Sequence, residues 1–146
     1  MKKRKIISVL LLIVGVYLSI AFVLKIEFPQ GLEGYFRRAY YNQFGPLVLS
    51  IELLIASYYL FIGYNKTNFA LALFGYTALL DPFFNQIGLL NSIVPIYGTL
   101  ILSVCALLCL WLAYANPFKL KRLSRLATIL SLVLGVFVEL FFNYLN

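Results

Sequence analysis

The sequence contains no histidine, only two cysteines and only five acidic residues in 146. The absence of histidine excludes a histidine-held haem, a histidine zinc site, Ser-His or Cys-His catalysis and a histidine proton shuttle. Cys105 and Cys109 are too few, and lie too deep in an apolar run, to form a disulfide framework. They stand one turn apart on one helix face. Without further ligands they make a poor metal site, so we interpret them as packing residues.

Charge of either sign is also scarce, at 12% of residues, whereas 63% are hydrophobic. An average soluble domain is about half apolar and about a quarter charged. A small soluble fold leaves much of its surface exposed and could not bury so much apolar area. Lipid removes that requirement, so the composition predicts a single all-α polytopic transmembrane bundle. The net charge of +7 lies mostly in two short runs beside apolar segments, which is typical of membrane orientation and not of nucleic-acid binding.

Apolar runs predict five membrane-spanning helices. The third is short for a hydrocarbon core of about 30 Å, which takes about 20 residues. It either thins the bilayer locally or continues irregularly through Pro82 into the turn region that follows it. The first follows a basic start, but its apolar run of 19 residues lacks a cleavage site, so we expect a retained helix and not a signal peptide. The outer connection, 25-45, is aromatic and basic, and two structures stay open for it: a helix in the headgroup layer or an ordered surface loop. The predicted helices cover about 5-24, 46-64, 67-80, 93-115 and 126-144.

Lysine and arginine predict the orientation of these helices. One basic run precedes the first helix and the other, 119-125, follows the fourth, so four crossings separate them and both lie on one side. The positive-inside rule makes that side cytoplasmic and leaves the C-terminus outside. A four-span arrangement without the third helix would put the two runs on opposite faces. The cytoplasmic side then carries no acid and holds Lys2, Lys3, Arg4, Lys5, Lys66, Lys119, Lys121, Arg122 and Arg125.

All five acids fall in the outer half of this arrangement, and Glu52 lies within the second helix. An ionised carboxylate in hydrocarbon costs at least about 2.5 kcal/mol, so such a residue usually faces the bundle interior and has a partner. We predict a polar cluster of Glu52 with Glu139 or Asp81, partly neutralised by Arg37 or Arg38. If two carboxyl groups meet without a cation, one should hold a proton at neutral pH. The cluster is either an ion, proton or headgroup site or a satisfied pair that fixes helix register, and no catalytic or metal-ligating residues are predicted.

Residues 5-82 contain three recognisable features: Lys25 and Pro29 after the first helix, the segment IELLIASYYLFIG, and the alanine-rich NFALALFGYTALLD. In these features the chain resembles the DoxX/MauE-like family of small membrane proteins. Glu52 matches the glutamate that the second helix of the family often carries. The resemblance implies a compact helical bundle and, for some members, quinone-linked or thiol-redox partners. The family commonly has four spans, and the paired cysteines of its thiol-redox branch have no counterpart in this sequence.

Three function classes follow for a multi-pass protein of a bacterial cytoplasmic (inner) membrane. The first is a non-catalytic subunit or partner of a larger membrane complex, because no soluble domain, catalytic constellation or nucleotide motif is present. The second is a small proton- or ion-coupled transporter that uses Glu52. The third is an immunity protein against a pore-forming toxin. An enzyme is the least favoured class, and no cofactor is predicted beyond a quinone or a lipid. The expected partners are the lipid bilayer and either another membrane protein or further copies of the chain.

Overall fold

The fold is an all-α helical bundle, as predicted. The computed structural model describes residues 1-145, with side chains described as far as Asn143. Two short antiparallel strands pair near the end of the chain, Leu90 with Leu145 and Asn91 with Tyr144. The elements in chain order are α1 (Lys2–Val23), α2 (Leu32–Tyr35), α3 (Arg38–Asn42), α4 (Gly45–Ile62), α5 (Thr67–Gln86), β1 (Leu90–Asn91), α6 (Ile96–Ala115), α7 (Arg125–Phe142) and β2 (Tyr144–Leu145).

Among the residues that the structure describes, four helices are long and apolar enough to cross a membrane. They are α1, α6, α7 and the stretch Arg38–Ile62, which contains α4. This agrees with a multi-pass membrane protein. The fifth long helix, α5, has 20 residues, the length of a span. It is less apolar because it carries polar side chains, among them Asn68, Asp81 and Asn85.

The least apolar of the long helices lies at the centre of the bundle. α5 packs against α4, α6 and α7, and α1 packs against α4. Small residues, among them Ala72 and Ala78, are buried on α5 and allow close helix contact. At Gly75 the backbone comes so near to α6 that an added Cβ would lie 3.1 Å from the Ala106 carbonyl oxygen. The large side chains of the core, such as Leu53, Leu71, Phe74 and Leu112, fill the space around α5.

α5 is longer than the sequence predicted. It ends at Gln86 and includes Pro82, whereas the predicted bounds ended near residue 80. Of the two possibilities for the short third helix, the structure shows the continuation through Pro82. Proline removes one backbone hydrogen bond and disfavours helical geometry at the residue before it. That preceding residue, Asp81, is only 3% exposed, so tertiary contacts hold this part of the helix in place. In the outer connection, two short helices, α2 and α3, stand in place of a single one.

The two ends of the bundle differ in charge: one has cations and no acid, whereas the acids lie toward the other, which we call the acidic end although it also carries Lys25, Arg37 and Arg38. At the basic end, which comprises the start of α1, 63-66 and 116-124, Arg4 Nη2 donates to the Phe61 carbonyl at 3.4 Å. At the acidic end, which comprises 24-44, 87-95 and the end of α7, Lys25 Nζ lies 5.0 Å from the centre of the Tyr97 ring. Because α4 ends at the basic end and α6 begins at the acidic end, α5 runs the length of the bundle between them.

Candidate functional site

The candidate site lies where α7 packs against α5 near the acidic end. Three residues of α7 at intervals of four, Ser131, Gly135 and Glu139, are its buried residues and therefore form one stripe. Gly135 allows the close approach, because a Cβ at this position would lie 3.1 Å from Thr77 Oγ1. Glu139 follows one turn later, as Asp81 follows Thr77 on α5. The spacing therefore brings two acidic side chains to the same contact.

Two carboxyl groups are in contact at this point, and a third lies near them. The carboxyl group of Glu139 is in hydrogen-bonding contact with that of Asp81 and within electrostatic range of Glu52. Asp81 is 3% exposed and Glu139 is 2% exposed. Glu52 is half-buried, and its Oε2 atom is buried without a hydrogen-bond partner among the described residues. The structure thus brings together three of the five residues that the sequence analysis selected.

Neutral side chains provide the other hydrogen bonds to the carboxyl groups. The Ser92 hydroxyl lies 2.8 and 2.7 Å from the two carboxyl oxygens of Asp81 and donates to them. Asn143 Nδ2 donates to Glu139 Oε2 at 2.7 Å. The Thr77 hydroxyl contacts Glu52 but donates its proton to the Leu73 carbonyl at 2.8 Å. A protonated Glu52 can therefore donate to the Thr77 oxygen.

The predicted neutralisation of this cluster by arginine is not found in the described contacts. Arg38 Nη2 donates to the Leu140 and Asn143 carbonyls, each at 3.1 Å. It thus binds acceptors that the end of α7 leaves without a helical partner. Arg37 is exposed and lines a surface cavity with Glu27. Both arginines therefore interact outside the carboxyl cluster.

This arrangement can hold and exchange protons. An ionised carboxylate only accepts hydrogen bonds, so two carboxyl groups in contact require a proton on one of them. Ionising the pair would place like charges next to each other in a buried position. Within the described part of the chain, no group of three or more histidine, cysteine, aspartate or glutamate side chains has a metal-binding arrangement. The chemistry that the contacts themselves support is therefore that of a shared proton.

The sequence analysis did not select the neutral partners of the cluster. Thr77 precedes Asp81 by four residues and Asn143 follows Glu139 by four, which is the spacing of neighbours on one helix face. That spacing could have identified both residues. Ser92 belongs to the connection after α5, and its contact with Asp81 depends on a path of the chain that no local pattern specifies.

No family model, no curated protein and no solved structure matches this chain.

Proposed function

We propose that this chain is a small proton-coupled membrane protein, in the manner of a small transporter, whose carboxyl cluster binds and releases protons. The observation that carries the proposal is the contact of the Glu139 and Asp81 carboxyl groups beside Glu52. Acidic residues inside membrane proteins commonly mark proton or ion pathways. This cluster has neutral hydrogen-bond partners, and Arg38 donates to carbonyl groups instead.

Loss of the shared proton would act on the contact between α5 and α7. Two carboxylates that face each other repel, and each then lacks the hydrogen that joined them. α7 packs mainly on α5 and has little contact with α4. Its close approach to α4 is at Phe142, which lies beside Gly45. Protonation would therefore favour a closed α5–α7 contact, and deprotonation would favour its opening at the acidic end. This change is the proposed coupling step.

The proton site can be tested by replacing Glu139 with glutamine, which keeps the shape and removes the titrating group. In reconstituted vesicles we expect E139Q to lower proton flux at least about tenfold, a loss typical of a missing acid-base group. Infrared spectra of the wild-type protein should show a protonated carboxyl band at neutral pH, and E139Q should weaken that band. The matched control is E33Q, because Glu33 is exposed on α2. Wild-type flux in E139Q, or no protonated carboxyl band in the wild-type protein, would contradict the proposal.

The proposal includes five spans, with the N-terminus in the cytoplasm of a bacterium and the C-terminus outside. Its support is that α5 runs from the basic end to the acidic end and that the basic end carries eight lysine and arginine residues, with Arg125 next to them at the start of α7, and no acidic residue. Positive charge on cytoplasmic segments sets orientation. A four-span alternative would leave α5 on one side of the membrane.

Labelling of single cysteines distinguishes the two arrangements. The background is a chain whose two native cysteines are replaced by alanine, and the reagent is an impermeant maleimide added to spheroplasts. We expect it to label Gln86→Cys at once, and to label Asn65→Cys only after the membrane is permeabilised. Both positions are exposed at opposite ends of α5, so access is comparable once the membrane is open. Equal labelling of both before permeabilisation would reject a crossing by α5.

A subunit or partner role in a larger membrane complex is the second candidate. It is favoured by α7, which buries the smallest share of its residues among the four apolar helices and exposes Ile129, Val133, Phe137 and Phe141. A quinone- or redox-linked partner of the DoxX/MauE-like kind and an immunity role stay predictions. A purely structural partner role differs from proton coupling in one respect: E139Q would then change stability and leave proton flux unchanged.

A further inference from the structure

A second cavity lies at the basic end, far from the carboxyl cluster. It has a volume of about 380 Å³ and opens between the start of α5 and the start of α7. Its wall is mainly apolar, and three cationic residues stand at its rim. The apolar residues are Phe69, Leu123, Leu126, Ala127 and Leu130, and the cationic residues are Lys66, Lys121 and Arg122.

A buried asparagine holds the cationic loop in place. Asn68 is 2% exposed, and its Nδ2 donates to the Lys121 carbonyl at 2.9 Å and to Asn116 Oδ1 at 3.2 Å. Asn116 Nδ2 in turn donates to the Leu120 carbonyl at 2.7 Å. These bonds fix the backbone that carries Lys121 relative to α5. The backbone of this part of the rim is therefore fixed, while the side chains of Lys121 and Arg122 are exposed and can bind a ligand.

Charge and shape together identify the class of ligand. Three cations, with no acid in the segments of the basic end, attract an anion. The start of α7 lies nearby and also favours negative charge, because the N-terminus of a helix carries a partial positive charge. A free phosphate would use only the rim. The apolar wall continues onto side chains that face away from the bundle, since Leu126 is 68% exposed and Leu130 is 47% exposed. Such a surface fits the glycerol and upper acyl chains of a lipid.

We infer that this cavity binds an anionic phospholipid, with its phosphate among Lys66, Lys121 and Arg122 and its acyl chains along α7. Basic pockets between helices at the cytoplasmic surface are typical binding places for acidic headgroups. The inference concerns a separate end of the bundle and does not depend on protonation of the carboxyl cluster.

Lipid titration of the full-length protein in detergent, followed by native mass spectrometry, tests the site. We expect phosphatidylglycerol to bind at least about tenfold more tightly than phosphatidylcholine, and the triple variant K66Q/K121Q/R122Q to lose that preference, since each cation near an anionic lipid adds about a factor of five. The matched control is K2Q/K3Q/K5Q, which removes the same charge from exposed positions on α1. It should keep at least most of the preference.

A steric variant separates the cavity from general attraction to positive charge. Ala127 lies on the apolar wall, so A127W should fill the space and weaken phosphatidylglycerol binding without changing the charge. We expect both K66Q/K121Q/R122Q and A127W to lose phosphatidylglycerol binding and to keep the helix content of the wild-type protein. Equal loss in the control triple variant, or full binding in A127W, would overturn the inference. So would competition by inorganic phosphate at the same concentration as the lipid, because the apolar wall would then contribute nothing.

Discussion

Replacing Gly75 with valine should lower the free energy of unfolding by about 2–3 kcal/mol, the upper part of the usual range for an overpacked core. A Cβ at this position would lie 2.5 Å from Leu110 Cγ and 3.1 Å from the Ala106 carbonyl oxygen. The leucine side chain can rotate, but the carbonyl belongs to the α6 backbone and can move only with its helix. Because α5 is central, displacing α6 from it disturbs much of the core.

Unfolding in mixed micelles of detergent and dodecyl sulfate, followed by circular dichroism, measures this effect. The matched control is G31V, because a Cβ added at Gly31 meets nothing within 4 Å and its φ of −136° suits any residue. We expect the control to stay within about 0.5 kcal/mol of the wild type, as surface substitutions usually do. Equal losses in the two variants would show that α5 and α6 are not in the close contact described.

Removing either member of the Asp81–Glu139 pair should also destabilise the bundle, and removing both should cost less than the sum. In Glu139→Met, the Asp81 carboxyl group loses its contact with Glu139, and Asn143 Nδ2, which donates to Glu139 Oε2 at 2.7 Å, loses that acceptor. A buried polar group without its partner costs about 1–3 kcal/mol, whereas replacing both partners by apolar groups can be nearly neutral. We expect similar single losses in Asp81→Leu and a coupling energy of about 1–3 kcal/mol.

The double-mutant cycle uses the same micelle unfolding measurement. Glu33→Met is the control, since Glu33 is exposed on α2 and should couple to neither residue. Additive losses in the Asp81→Leu and Glu139→Met variants would mean that the two carboxyl groups do not share a contact. This measurement does not require proton transport, so it tests the geometry of the site apart from its proposed role.

The distribution of charge was the most informative part of the sequence. Asp81, Glu139 and Glu52 are far apart in the chain, yet the predicted topology places all three in the outer half of the protein, with Asp81 just after the third helix. The structure brings the carboxyl groups of Asp81 and Glu139 into contact, with Glu52 nearby. The cost of a carboxylate in hydrocarbon explains why such residues converge. The arginine partner could not be predicted on this basis. Arg38 binds the Leu140 and Asn143 carbonyls, and backbone acceptors at a helix end leave no mark in a sequence.

The order of the helices in space also went beyond what apolar runs can indicate. Apolarity suggests which helices contact lipid, and α5 was the shortest of the predicted spans because its pattern appeared to stop at Pro82. The polar residues of α5 do not indicate a short or surface helix. Asn68, Thr77 and Asp81 are buried because α5 is surrounded by other helices. Pairing between neighbouring helices decides this, and no single run of residues encodes it.

The central position of α5 has a consequence for biogenesis. On the proposed topology, α5 is the one span that is not among the four apolar helices, and its polar side chains would meet acyl chains until α6 and α7 have been synthesised. The short connection 63–66 joins it to the far more apolar α4, so the two would enter the bilayer together as a hairpin. A chain that ended before α7 would lack Glu139, and the Asp81 side chain of α5 would then face lipid. Membrane quality control would have an exposed acidic residue to recognise.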